Sequence, residues 1–115
     1  FPARMRCILE DQDGEWPAID PRGWVTARKY NTRDLADSLG RFQLTRKNNL
    51  LWLKELQEPD WKASYPTPFG PLTAGNLCAS WVAHDYLHIR QLIELQYRYH
   101  SRNVQPFNVE YAGDF

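Results

Sequence analysis

The sequence predicts an all-α fold built around two long helices packed as a bundle. Three observations carry that reading. In the stretch from about 34 to 57, Leu35, Leu39, Phe42, Arg46, Asn49, Leu53 and Leu56 recur at alternating steps of four and three. That 3.5-residue period marks the seam of a left-handed helical bundle. Between about Ala74 and His100 the same rhythm returns in Leu77, Trp81, His84, His88, Gln91 and Leu95. A linker of roughly 14 residues separates the two stretches, and antiparallel packing is the natural consequence.

The elements follow in order. Residues 2–11 (PARMRCILED) read as a short helix with Met5, Ile8 and Leu9 on an apolar edge, like the end of a longer one. The stretch DQDGEWPAIDPRGW is rich in Asp, Gly and Pro and reads as a loop. Asn31 or Thr32 is the expected N-cap of the next helix, with Asp34 in its first turn. Pro59 ends that helix near Gln57. The linker EPDWKASYPTPFGPL holds four Pro and is expected to be irregular. Thr73 is the candidate N-cap of the last helix, with Leu72 placed before it as a hydrophobic staple. Beside the inner stripe of that helix runs a second apolar row, Cys78, Val82, Ile89, Ile93 and Tyr97. The tail NVQPFNVEYAGDF lacks helical periodicity and is expected to pack as a strap or fray.

Composition bounds the function. At 115 residues the chain is one domain's worth, residues 1–115. Fourteen basic residues balance fourteen acidic ones, so no overall field draws the chain to nucleic acid or to an anionic membrane. No apolar run approaches the length of a membrane span or of a signal peptide. Cys7 and Cys78 are too few for a disulfide framework and lack metal-type spacing. They read as buried thiols in a reducing compartment, so the expected location is cytoplasmic; a single disulfide is the alternative.

The two inner stripes are each apolar at the ends and polar in the middle. Antiparallel packing would bring Arg46 and Asn49 level with His84, His88 and Gln91. Burying that many polar groups without partners costs roughly 1–3 kcal/mol each, so the layer argues for a site. Residues four apart on a helix share a face, and two imidazoles so placed can reach one metal ion. The alternative is a pair of core histidines satisfied by neighbours. Asp85 follows His84 where zinc proteases of the H-E-x-x-H type carry a Glu. No third ligand follows at the protease spacing, so Asp85 is solvated or orients a ligating imidazole. Arg46 either buries its stem and brings its head to the bundle edge or binds an anionic group of a substrate. Trp81, one turn before His84, is a core residue or a pocket wall. Trp16, Trp24 and Trp61 fall in loops, where they would cap the bundle ends or, for one of them, line a pocket mouth.

The segment AGNLCASWVAHDYLHIRQL resembles the last bundle helix of the DinB/YfiT-like proteins, whose pattern there is H-D-x-x-H-x-x-Q followed by an apolar residue. YPTPFGPLT resembles the Pro-then-Gly approach to that helix, and FQLTRKNNLLWLKEL the family's earlier helix, where an Arg follows a Phe by four. The resemblance implies an up-down four-helix bundle, of which this chain would hold the end of the second helix and the last two long helices. It implies a divalent metal, zinc or nickel, bound by three histidines, two of them matching His84 and His88. It also implies a small-molecule substrate, a low-molecular-weight thiol among the candidates, for a transferase or hydrolase of a bacterial cytoplasm. A non-catalytic metal- or ligand-binding bundle, as a homodimer, is the second expectation. The family's third histidine lies on its second helix. His100 is sixteen residues beyond His84, about 24 Å along a continuous helix, and cannot share the ion. The expectation is therefore an upstream histidine, roughly three or four turns before Cys7.

Overall fold

The computed structural model describes residues 1–11 and 13–113. Gln12, in the first loop, and Asp114 and Phe115, in the tail, lie outside the described residues. Helix α1 spans Pro2–Glu10 with proline in its first turn, where the missing N–H costs nothing. Its Met5 and Ile8 are fully buried and Cys7 nearly so, so the apolar edge read from the sequence faces inward. The Cys7 thiol donates to the carbonyls of Asp11 and Gly14. Both cysteines are free thiols.

The loop after α1 is shorter than its composition suggests. Helix α2, Pro21–Ala27, begins inside it. Asp20 caps this helix by accepting from the Gly23 N–H at 2.9 Å, and Pro21 supplies a preset φ at the first helical position. The composition of this stretch reads as loop, but its Asp20–Pro21 pair starts a helix. The Arg28 guanidinium sits 4.0 Å over the Trp24 ring.

Helix α3 spans Leu35–Glu55. Its N-cap is Asp34, accepting from the Asp37 N–H at 2.9 Å, not Asn31 or Thr32. Those two belong to a 3-10 turn, Tyr30–Thr32. All three residue types cap well, and the one whose carboxylate lies three residues before a helical N–H takes the role. The helix stops at Glu55, and Leu56 is extended, within two residues of the stop expected from Pro59.

The proline-rich linker holds an antiparallel hairpin, β1 (Ser64–Thr67) and β2 (Gly70–Thr73), where irregular backbone was expected. Tyr65 pairs with Leu72 and Pro66 with Pro71. Proline is excluded from central strands but not from edges, and a two-stranded ribbon is all edge. Gly70 closes the turn at φ +106°, a conformation that costs glycine little. The Thr67 hydroxyl accepts from the Phe69 N–H and donates to the Gly70 carbonyl.

Helix α4 spans Ala74–Asn103, three residues past the expected end. The chain divides into two compact units, Phe1–Leu77 and Cys78–Phe115, and α4 runs through the boundary. In the first unit the buried apolar residues are Met5, Cys7, Ile8, Ala74 and Leu77; in the second, Trp81. Along α3, Leu35, Leu39 and Phe42 are exposed, whereas Arg46, Asn49, Leu53 and Leu56 are half-buried. Along α4, Val82, Tyr86, Ile89 and Ile93 are more than half exposed. In the tail a 3-10 turn forms at Glu110–Ala112, and the Tyr97 hydroxyl donates to the Gly113 carbonyl at 3.3 Å, which fits a strap over the end of α4.

Candidate metal centre

The phase of α4 is set at its first turn. Thr73 Oγ1 accepts from the Asn76 N–H at 3.0 Å, the cap expected from the sequence. The Ala74 and Gly75 N–H groups donate to the Ala63 and Trp61 carbonyls, both at 3.0 Å. Three of the otherwise unsatisfied donors of the helix start therefore have partners. Glycine suits position 75, since a Cβ there would lie 3.1 Å from the Trp61 carbonyl oxygen, tighter than ordinary contact.

From that start the helix continues unbroken through the histidines. Steps of four and three place His84, His88 and Gln91 on one face. The two imidazoles meet edge to face, centroids 4.3 Å apart and planes at 76°. A metal ~2.0–2.1 Å from one nitrogen of each ring needs centroids about 5 Å apart, wider than the 4.3 Å of this pair. His88 Nδ1 lies 2.9 Å from Gln91 Oε1. Imidazole is a donor that zinc and nickel both take, and the pair brings two of them to one face of the helix. Among the described residues no group of three His, Cys, Asp or Glu side chains is placed to hold an ion.

Exposure differs from the interior layer read off the stripes. His84, His88 and Gln91 are exposed, Asp85 is half-buried and Trp81 is buried. The stripe is covered only as far as Trp81, and beyond it the apolar neighbours of the histidines are open as well. Placing polar groups here thus costs less than interior burial would.

In the first unit, Asn49 Oδ1 accepts from Arg6 Nη1 at 3.2 Å. The Arg6 guanidinium also lies over the Trp52 ring, and the Trp52 indole N–H donates to the Glu10 carboxylate. This seam between α1 and α3 went unread in the sequence. Trp52 falls off the seven-residue stripe, and Arg6 sits in a segment too short to show periodicity. Arg46 lies over Phe42 at 5.4 Å and lines a shallow groove of about 440 Å³ with Phe42, Lys47, Leu50, Leu51 and Lys54. Trp16 stacks on Tyr65 at 4.1 Å with Arg4 also against its ring, so this loop tryptophan ties the loop to the hairpin.

A mostly helical chain with paired histidines on its longest helix defines a class of small helical proteins with an accessible imidazole face. The model of the DinB superfamily matches residues 3–92, and the chain belongs to that superfamily. The matched stretch takes in α1, α3 and the histidine face of α4. No curated protein matches the chain, and no solved structure does. No helix among the described residues is long and apolar enough to cross a membrane.

Proposed function

We propose that this protein is a metal-dependent enzyme of the DinB-like type, a thiol transferase or hydrolase acting on a small molecule in a bacterial cytoplasm. The observation that carries the reading is the His84–His88 pair, 4.3 Å apart on one face and open to solvent. Superfamily membership supports it, because the resemblance implies a histidine-bound zinc or nickel ion. When bound, such a metal acts as a Lewis acid and lowers the pKa of a coordinated thiol or water. His84 and His88 hold it; the family pattern assigns a third imidazole to another helix. Arg46 is the anion clamp, and Asn49, Asp85 and Trp81 shape or support the site. The finer architecture in this reading is a single domain, an up-down four-helix bundle, with α3 and α4 as its last two helices.

Metal analysis of the purified full-length protein tests the proposal. Wild type carries zinc or nickel, and His88→Ala loses it while keeping its helical circular dichroism. Wild type prepared without chelator and free of metal defeats the reading. A thiol-transfer assay on the metal-loaded protein then separates transferase from hydrolase.

A second reading has its own support. The open side chains of Val82, Tyr86, Ile89 and Ile93 on α4 form an apolar row that a second copy would cover. In that reading the bundle is a non-catalytic homodimer holding a structural metal or small ligand. Sedimentation decides the oligomeric state. X-ray absorption at the metal separates a shell closed by protein ligands from one with an open position.

A further inference from the structure

We infer that Gln91 is a positioning residue for His88: it holds the imidazole as the Nδ1–H tautomer and so presents Nε2 as the bare lone pair. The geometry lies within one helix. Gln91 is three residues beyond His88, on the same face of α4. Its side-chain oxygen Oε1 is 2.9 Å from Nδ1. A carboxamide oxygen only accepts, so with Oε1 facing the ring the contact is a hydrogen bond only in the Nδ1–H tautomer. A neutral imidazole has one proton to place, and fixing it on Nδ1 leaves Nε2 as the ligating atom.

Three consequences follow for the site. The contact orients the His88 ring before an ion arrives, which lowers the ordering cost of binding. Gln91 withdraws part of the Nδ1–H proton's charge, which makes Nε2 a better donor. The asymmetry also gives Gln91 a role distinct from substrate contact, because Oε1 is already engaged. The functional consequence rests on the proposed metal reading; the tautomer itself is a property of the metal-free chain.

The experiment separates these two levels. Nitrogen NMR on the metal-free full-length chain, with the ring neutral, reports which nitrogen of His88 bears the proton. Wild type shows Nδ1–H. Gln91→Leu removes the acceptor and keeps the bulk, and more than half of the population moves to Nε2–H. Gln91→Glu keeps an acceptor oxygen and restores the wild-type tautomer. Gln91 is exposed, so neither change threatens the fold. In zinc titrations Gln91→Leu weakens binding roughly 10–100-fold, the usual cost of losing a partner behind a ligand, and Gln91→Glu recovers it. Wild type with Nε2–H, or Gln91→Leu with an unchanged tautomer, overturns the inference. Zinc binding abolished by His88→Ala yet unmoved by Gln91→Leu overturns it too, while leaving the metal reading intact. A Gln91-dependent tautomer in a protein that takes up no metal upholds the positioning contact and removes the metal reading instead.

Discussion

The Arg6 guanidinium lies 4.4 Å from the centroid of the Trp52 indole. The same side chain reaches Asn49, and the indole N–H reaches Glu10, so four residues tie the ends of two helices. A partly desolvated cation–π contact contributes about 0.5–2 kcal/mol, and a hydrogen bond to a charged donor about 1.5–3 kcal/mol at most. Arg6→Leu keeps the stem and removes both. It is expected to lower stability by about 2 kcal/mol in urea denaturation. Arg6→Lys keeps the charge but not the planar fork, so it should fall between the two. A lysine variant as stable as wild type would show that the planar fork contributes nothing beyond the charge.

Capping of α3 distinguishes the sequence reading from the structure. Asp34 accepts from the Asp37 N–H, so Asp34→Ala is expected to cost about 1 kcal/mol. Asn31→Ala and Thr32→Ala should change stability by less than about 0.5 kcal/mol, since the Thr32 hydroxyl donates to the Lys29 carbonyl within its own turn and does not cap α3. Thermal denaturation of the three variants ranks them. Equal losses at all three positions would mean that the turn, not the cap, starts the helix.

What was legible followed from repetition. The long helices announced themselves through many turns of one rhythm, and Thr73 was readable because it stands alone between a proline-rich stretch and a periodic one. Asp34 was not, because Asn31, Thr32 and Asp34 offer three side chains able to cap within four residues. The hairpin was hidden by its own prolines, which exclude a central strand but not a ribbon's edge. The histidine face was legible as spacing, and its pairing with Gln91 follows from that spacing. Its exposure was not. A stripe shows which side chains share a face, not how far along the helix a neighbour covers it, and here cover ends at Trp81.

Gly75 sets two opposing effects against each other. Alanine favours a helix over glycine by about 1 kcal/mol. A Cβ at this position, however, would stand 3.1 Å from the Trp61 carbonyl oxygen, a backbone atom already bonded to the Gly75 N–H. Overpacking of this kind costs about 1–3 kcal/mol, more than the propensity gain. Gly75→Ala should therefore destabilise by about 1 kcal/mol in chemical denaturation, and by more if the Trp61 bond breaks. A stabilised variant would mean that the 61–63 segment shifts freely and does not anchor the start of α4.

Proton and metal compete for the same imidazole lone pair. In the proposed site, acidification should release the metal while the helices persist, because His84 and His88 are exposed and their protonation does not disrupt a core. Parallel measurements of bound metal and of helical circular dichroism across a pH series check this. Metal loss that tracks unfolding at every pH would place the ligands in the interior.

Arg46 is the residue whose charge and packing roles separate most cleanly. It is half-buried, stacked near Phe42, and lines the α3 groove with Leu50, Leu51, Lys47 and Lys54. Three cations around an apolar floor attract an anionic group, and of the three Arg46 alone offers a bidentate fork. If it is the anion clamp of the proposed site, Arg46→Leu weakens binding of an anionic ligand about tenfold or more, the loss of one charge-assisted hydrogen bond. Stability should stay level or rise, since replacing a partly buried charge by an apolar side chain is often neutral or stabilising. Arg46→Lys keeps the charge and should retain part of the affinity. Calorimetric titration with a small carboxylate or a phosphate ester, run beside a thermal melt of each variant, reads both quantities. Unchanged binding in Arg46→Leu, or a loss of stability without a loss of binding, would assign Arg46 to packing over Phe42 alone.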